Sequence, residues 1–186
     1  MNKSFSRMSD EALYKAMNGS RKDAEAAFAE IYSRYSQRIY AYCVRVLGIE
    51  QDAQDAFQET FLKFYDARNL HEELDNIPGY LITIARRICI NLKRDKMPTL
   101  NIDDYNVTTN DPDTDKKELM TMIAMALELL EFDQREIFIL RQYQSLSYKE
   151  IVKITGVSES TLKNRYWRAK DKIKEILTPY MEEMLN

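Results

Sequence analysis

The amino-acid sequence predicts an all-α protein of two small helical domains joined by an extended acidic linker. Three observations carry this. Only four Gly and four Pro interrupt 186 residues, and apolar side chains recur at helical spacing through most of the chain. That periodicity vanishes from Met97 to Asp115, where two Pro and five Asp stand without a Lys or Arg, as in an extended connection. Residues on either side have enough apolar content for small cores, 45% of the chain being hydrophobic. The expected division is therefore 1–96, 97–115 and 116–186.

In chain order, Ser9 or Asp10 can cap a first helix that the Asn18-Gly19-Ser20 turn ends. A second helix from about Asp23 puts Ala27, Phe28, Ile31, Tyr35, Ile39, Tyr42 and Val46 on one broad stripe and stops near Gly48. A third begins at about Gln51. Ala53, Ala56, Phe57, Thr60, Phe61 and Phe64 lie inward or on its flank, and Asp52, Asp55, Gln58 and Glu59 face out. Residues 66–77 are polar and poorly periodic, a loop. Pro78 suits the first turn of a fourth helix, with Leu81, Ile84, Ala85, Ile88 and Leu92 inward and a basic set of Arg86, Arg87, Lys93, Arg94 and Lys96.

Beyond the linker, helical pattern returns at about Lys116, and another helix spans about Asp133 to Tyr143. Ser147 followed by Glu150 forms a capping-box sequence that starts a helix at about Tyr148. Ile151 and Ile154 give it an inner face. Gly156 supplies the left-handed backbone that ends it. Val157 turns inward, and Ser158 caps a following helix whose Leu162, Tyr166, Ala169 and Ile173 face the core. The other side carries Ser160, Thr161, Asn164, Arg165, Trp167 and Arg168. Two helices, a glycine turn and a basic outer face form a helix-turn-helix pattern. The tail 178–186 either completes the last helix or frays.

Composition narrows the function. There is no apolar leader and no run of membrane-spanning length, so a cytoplasmic protein without membrane insertion is expected. Cys43 and Cys89 read as buried thiols. The single His71 and the lack of Cys or His pairs leave no zinc spacing, and neither a metal nor a cofactor is expected. No phosphate loop, nucleophile elbow or paired-acid motif emerges, so no catalytic residue is named. Net charge is −3, unfavourable for phosphate binding, but the charge is segregated. Residues 158–174 hold six Lys or Arg against Glu159 and Asp171, whereas 50–75 hold eight Asp or Glu against Lys63 and Arg68. One surface suits DNA and another suits a different partner.

Four stretches in order, AFAEIYSRYSQRIYAYCVRVLG, DAQDAFQETFLKFY, PGYLITIARRICINLKR and FDQREIFILRQYQSLSYKEIVKITGVSESTLKNRYWRAKDKI, resemble the sigma factors of the extracytoplasmic-function group of the sigma-70 family. The resemblance spans about Asp10 to Ile176. It implies a sigma-2-like bundle, a linker and a sigma-4-like helix-turn-helix domain. The implied partners are core RNA polymerase, through its clamp and flap regions, promoter DNA and an anti-sigma factor. Asp52, Asp55, Gln58, Glu59 and Phe61 match the clamp-docking motif. The loop 66–77, with Arg68, Asn69 and Asn76, together with Tyr80, Arg86, Arg87, Asn91 and Arg94 on the following helix, matches the surface that captures an unstacked minus-ten base. Ser160, Thr161, Lys163, Asn164, Arg165 and Arg168 match the helix that reads the minus-thirty-five element.

Three departures are visible. Tyr80 stands where the family often has Trp, and Arg87 where it often has Asn. The segment NGSRKDAEAAF is longer than usual, read here as a longer loop. Trp167 is unusual in the reading helix and is expected to pack on its own domain. Nineteen linker residues reach at most about 65 Å, and two turns of DNA span about 70 Å, so the linker would be stretched. A helix-turn-helix regulator of another class is the alternative, but the N-terminal half has no βαβ pattern for a receiver domain. A helical scaffold that does not touch DNA leaves the basic stretches without a role.

Overall fold

The computed structural model describes residues 5–69, 74–95 and 114–184, with residues 95, 114–120 and 181–184 by backbone alone. Residues 97–113 of the expected linker, residues 70–73 of the expected loop, and Lys96 lie outside the described residues. The described residues are helical, without strands. Contacts divide the chain into two compact units, Met1–Pro98 and Thr99–Asn186.

In the first unit a single 3-10 turn at Phe5–Arg7 precedes α1 (Asp10–Met17), α2 (Arg21–Leu47), α3 (Glu50–Asp66), a second 3-10 turn at Ala67–Asn69, and α4 (Ile77–Asp95). Local chemistry sets the ends. The Ser9 hydroxyl accepts from the Ala12 N–H, and Ser20 from the Asp23 N–H, each satisfying a donor that a helix start leaves open. With Ser20 as its cap, α2 begins two residues earlier than the apolar pattern indicates. Most of the segment read as a longer loop is therefore helix. Gly48 closes α2 at φ 76°.

The core of this unit joins Leu13, Tyr14 and Met17 of α1, Ile31, Ile39 and Tyr42 of α2, Ala53, Ala56 and Phe64 of α3, and Leu81, Ile82 and Ala85 of α4. Arg34 holds the chain start to α2. It pairs with Asp10 at 3.0 Å and Glu30 at 2.8 Å, and donates to the carbonyls of Ser6 and Met8. Tyr35 donates to the other Asp10 oxygen. Cys43 and Cys89 are buried free thiols.

The second unit contains α5 (Thr114–Glu128), α6 (Phe132–Gln142), α7 (Tyr148–Thr155) and α8 (Glu159–Met184). Helix α5 starts two residues inside the stretch read as linker. Helix α8 takes the tail in as far as Met184, with Pro179 inside it. Ala126, Leu127 and Leu130 pack on Ala169, Ile173 and Leu177. The buried Arg135 donates to the carbonyls of Glu128 and Leu130, placing a cation on the carbonyls left open where α5 ends.

Candidate functional site

Three surfaces hold the residues singled out in the sequence. The first is the outer face of α3. Asp55, Gln58 and Glu59 are exposed on one stripe, and Glu59 pairs with Lys63 at 2.8 Å. Two residues of the expected docking motif are not on it: Asp52, expected to face out, and Phe61, expected inward or on the flank. Asp52 is 6% exposed and Phe61 is 3% exposed. Both lie toward the side of α3 that packs on its neighbours: Asp52 stands one turn before Ala56, and Phe61 is enclosed by Phe28, Tyr32 and Phe57. Neither can be an exposed contact.

Their place is taken by a residue the sequence reading passed over. Leu62 is 66% exposed and follows Asp55, Gln58 and Glu59 by seven, four and three residues, so it lies in the middle of the stripe. The only sequence signal is an apolar residue at a position where the helical pattern calls for a polar one. Behind the stripe the rings of Phe28, Tyr32, Tyr40, Phe57, Phe61 and Tyr65 form a continuous set of edge and tilted contacts, centroids 4.8–6.4 Å apart. Such packing fixes α3 against α2 and holds the charged face in position.

The second surface is the outer side of α4 with the end of α3. Asn76 caps α4: its Oδ1 accepts from the Gly79 N–H at 2.8 Å. A Cβ on residue 79 would meet the Asn76 amide at 2.7 Å, so glycine there keeps the cap in place. Tyr80, Arg87, Asn91 and Arg94 share one stripe, at intervals of seven, four and three; the last three are exposed, and Tyr80 is half-buried with its ring 6.2 Å from Phe64. Arg86 is partly buried and lies about 100° around the helix from Arg87, so it is off this stripe.

Arg68 lies with its guanidinium 4.1 Å from the centroid of the Tyr65 ring and donates to the Tyr65 carbonyl at 2.8 Å. Arg68 and Asn69 line a cleft of about 580 Å³ opposite Asn18, Gly19 and Arg21. The turn between α1 and α2 thus faces the start of the 66–77 loop. Sequence spacing alone gave no sign of this.

The third surface is the helix-turn-helix. Ser147 and Glu150 make a reciprocal capping box: the serine hydroxyl accepts from the Glu150 N–H, and the glutamate accepts from the Ser147 N–H at 2.7 Å. Gly156 ends α7 at φ 72°, where a residue with a Cβ is strained. The Ser158 hydroxyl accepts from the Thr161 N–H. Ser160, Thr161, Lys163, Asn164 and Arg168 are exposed on α8.

Two of the basic residues already have partners. Lys163 Nζ lies 2.7 Å from Glu159 Oε1. Their hydrogen bond holds the carboxyl below its ordinary range and the ammonium above. Arg165 pairs with Asp133 of α6 and is half-buried, tying α8 to α6 instead of pointing straight outward. Trp167, expected to pack on its own domain, is 66% exposed. It is on the outer side because the inner positions are filled by Leu162, Tyr166 and Ala169.

Among the described residues no group of three His, Cys, Asp or Glu could hold a metal, and no helix is long and apolar enough to cross a membrane. The chemistry on offer is recognition: a rigid acidic face with an apolar centre, and two basic helices with amides among the cations.

Both units match models of one family. The sigma-70 region 2 model matches residues 31–99, and the sigma-70 region 4 model matches residues 120–173. The chain is 27% identical to the RNA polymerase sigma factor CarQ of Myxococcus xanthus, over 84% of this chain and 92% of that one. It is 29% identical to the RNA polymerase sigma factor YlaC of Bacillus subtilis, over 83% and 94%. The solved structure of the sigma factor RpoE of Bartonella quintana, in complex with the anti-sigma factor NepR, has the same fold: TM-score 0.69 at 22% identity, covering 81% of this chain and 96% of that one. CnrH, in complex with the cytosolic domain of CnrY, superposes with a TM-score of 0.67 at 21% identity, covering 91% and 97%.

Proposed function

We propose a division of labour among three surfaces for this chain, which belongs to the sigma-70 family, in its extracytoplasmic-function group. The protein is an alternative sigma factor: it binds core RNA polymerase and directs promoter-specific transcription initiation. The bundle of residues 1–96 docks on the polymerase clamp through Asp55, Gln58, Glu59 and Leu62, and takes the minus-ten element on Tyr80, Arg87, Asn91 and Arg94. Residues 116–186 engage the flap region and read the minus-thirty-five element with α8. The segment between them is the linker. The protein performs no catalysis of its own and works in the cytoplasm.

Physical chemistry supports this assignment of roles. Taking a base out of the duplex stack costs a few kcal/mol. A helix that meets it with an aromatic ring, an amide and two guanidinium groups can offset that cost by stacking and hydrogen bonding. On α8, Asn164 and Arg168 are one turn apart and exposed, and both side chains suit base edges in the major groove. Lys163 lies on the flank in an exposed pair with Glu159, a partner that it can exchange for a phosphate. An anti-sigma factor belongs to the same reading, since RpoE and CnrH are each seen with such a partner or with a partner's cytosolic domain. It would cover these surfaces and keep the protein from polymerase.

The observation that carries the proposal is the order of surfaces: the acidic stripe and α4 in the unit that matches region 2, the basic α8 in the unit that matches region 4. The test is co-migration of the purified chain with core polymerase, then run-off transcription on a genomic fragment library. Start sites should share two sequence elements about two helical turns apart. Sequence-specific DNA binding without any affinity for core polymerase would place the protein among helix-turn-helix regulators of another class.

A further inference from the structure

A tryptophan on the outside of a helix is not explained by folding. Trp167 is the chain's single tryptophan, and 66% of it is exposed. The aromatic packing of its unit runs instead through Phe138, Tyr143, Tyr148 and Tyr166. At 100° per residue, Ser160, Asn164, Trp167 and Asp171 fall on one outward stripe of α8, with Lys163 and Arg168 beside it. The indole therefore stands one turn beyond Lys163 and Asn164 and between them in angle, with Arg168 about 100° further around the helix.

Distances limit what it meets there. Trp167 follows Ser160 by seven residues, or about 10 Å along the axis, and the major groove is about 12 Å wide. A helix that enters by its capped end brings all of Ser160 to Arg168 within the groove. One turn further on, the Asp171 carboxylate would be repelled by phosphates, so the inserted stretch ends at about Arg168. Trp167 is the last large outward side chain before that limit. An indole gains little from a phosphate. The apolar group that base edges present in the major groove is the C5-methyl of thymine.

The geometry points to Trp167 as a specificity-determining residue: its indole covers the methyl group of a thymine in the minus-thirty-five element and sets a preference for T at one position beside those read by Asn164 and Arg168. This rests on the reading of α8 as the groove-bound helix. The positive flank supplies the matching charge for duplex DNA, and it favours DNA over a second protein as the occupant of this face.

The test removes one methyl at a time. A promoter recovered by run-off mapping is rebuilt with deoxyuridine in place of each thymine of the minus-thirty-five element, on either strand. Initiation is then measured with core polymerase and limiting protein. The native chain should lose about fourfold at one position, the factor for one buried methyl at about 0.8 kcal/mol. Trp167→Ala should be weaker on the thymine promoter and show no further loss from that deoxyuridine, and Trp167→Phe should keep part of the effect. Asn164→Ala should retain the deoxyuridine penalty. In parallel, the tryptophan emission of the isolated chain should change as a minus-thirty-five duplex is added at low salt.

Equal deoxyuridine penalties in native and Trp167→Ala proteins, an element without thymine on either strand, or unchanged emission while the duplex binds would each overturn the inference. So would a Trp167→Ala defect confined to polymerase affinity, which would make the indole a protein contact. If Lys163→Ala, Asn164→Ala and Arg168→Ala are also silent, the groove-bound helix itself fails. If they act and Trp167 does not, only the inference about Trp167 fails.

Discussion

Removing two carboxylates from the outer face of α3 should separate docking from folding. Asp55 and Glu59 are exposed, and the Glu59–Lys63 pair is an i,i+4 contact with side chains about half exposed. Such a pair contributes about 0.3–0.5 kcal/mol. Alanine is a better helix former than either acid, by up to about 0.7 kcal/mol per site, which at two sites more than offsets the lost pair. Asp55→Ala with Glu59→Ala should therefore leave stability unchanged or raise it by at most about 1 kcal/mol, or about 4–8 °C in melting temperature for a unit of this size. Against polymerase the balance differs. Truncating one charge of a close interfacial pair costs about 2–5 kcal/mol, and 2 kcal/mol alone is about thirtyfold in affinity. The double variant should keep its circular dichroism and melt no lower, but lose at least about thirtyfold in polymerase binding, measured by titrating transcription at limiting protein. Leu62→Ala should do the same without any charge change, because a Leu side chain buried by the partner contributes about 1.5–3 kcal/mol. Full transcription by the folded double variant would refute the docking role and leave the stripe as solvated surface.

Three further outcomes are expected. Asn164→Ala or Arg168→Ala should cost about 1–3 kcal/mol at one or two promoter positions and relax the preference there, whereas Lys163→Ala should weaken all promoters alike and lower the salt slope by about one; transcription on a randomised element reads both. Gly156→Ala places a Cβ residue at φ 72°, with nothing within 4 Å to clash, so only backbone strain acts; it should destabilise the second unit by about 1–2 kcal/mol, measured by urea unfolding. Burial and the Asp10 carboxylate push the Tyr35 hydroxyl up to about 12, against about 10 unfolded. The folded state thus holds that proton more tightly, and the stabilisation is complete below pH 10 and lost as pH rises towards 12. Tyr35→Phe should flatten that alkaline loss in denaturation curves taken from pH 9 to 11.

Helix placement was legible wherever capping chemistry and apolar spacing agreed, as at Ser9, Ser147 with Glu150, and Gly156. It slipped where a cap preceded the pattern: Ser20 starts α2 before any apolar stripe appears. The errors in the site share another cause. An acidic residue at the start of an amphipathic helix reads as outward, but Asp52 shares a side with Ala56 and Thr60, which is closed by neighbouring helices that lie far off in sequence. Trp167 and Leu62 fail in the opposite sense. Hydrophobicity argues for burial, and only the angular position of each side chain on its helix shows that no packing partner is available on that side. Arg165 reads as one more cation until the fold brings Asp133 of α6 beside it. The cleft opposite Arg68 joins residues more than forty positions apart and has no local signature at all.

The pairing of cations within the second unit gives the low net charge a physical meaning. Of the six Lys or Arg in residues 158–174, Lys163 pairs with Glu159, Arg165 with Asp133 and Lys172 with Glu175. Arg168, Lys170 and Lys174 carry no ion pair among the described residues. With Arg168 given to a base edge, and Lys163 able to exchange its exposed Glu159 partner for a phosphate, the phosphate contacts left to α8 are Lys163, Lys170 and Lys174. At about 0.9 per phosphate neutralised, three contacts give a slope near −3 and about a fortyfold loss between 50 and 200 mM salt. Six would lose more than a thousandfold over the same range, but from a much higher starting affinity. Helix α8 alone is thus built to choose among sequences more than to hold DNA. Retention must come from a second contact that is insensitive to DNA charge, and the acidic face of α3, which would be repelled by phosphates, is suited to a basic protein surface. The two surfaces then act in series: polymerase raises the local concentration of DNA at α8, and the modest base contacts of α8 are sufficient to discriminate between promoters.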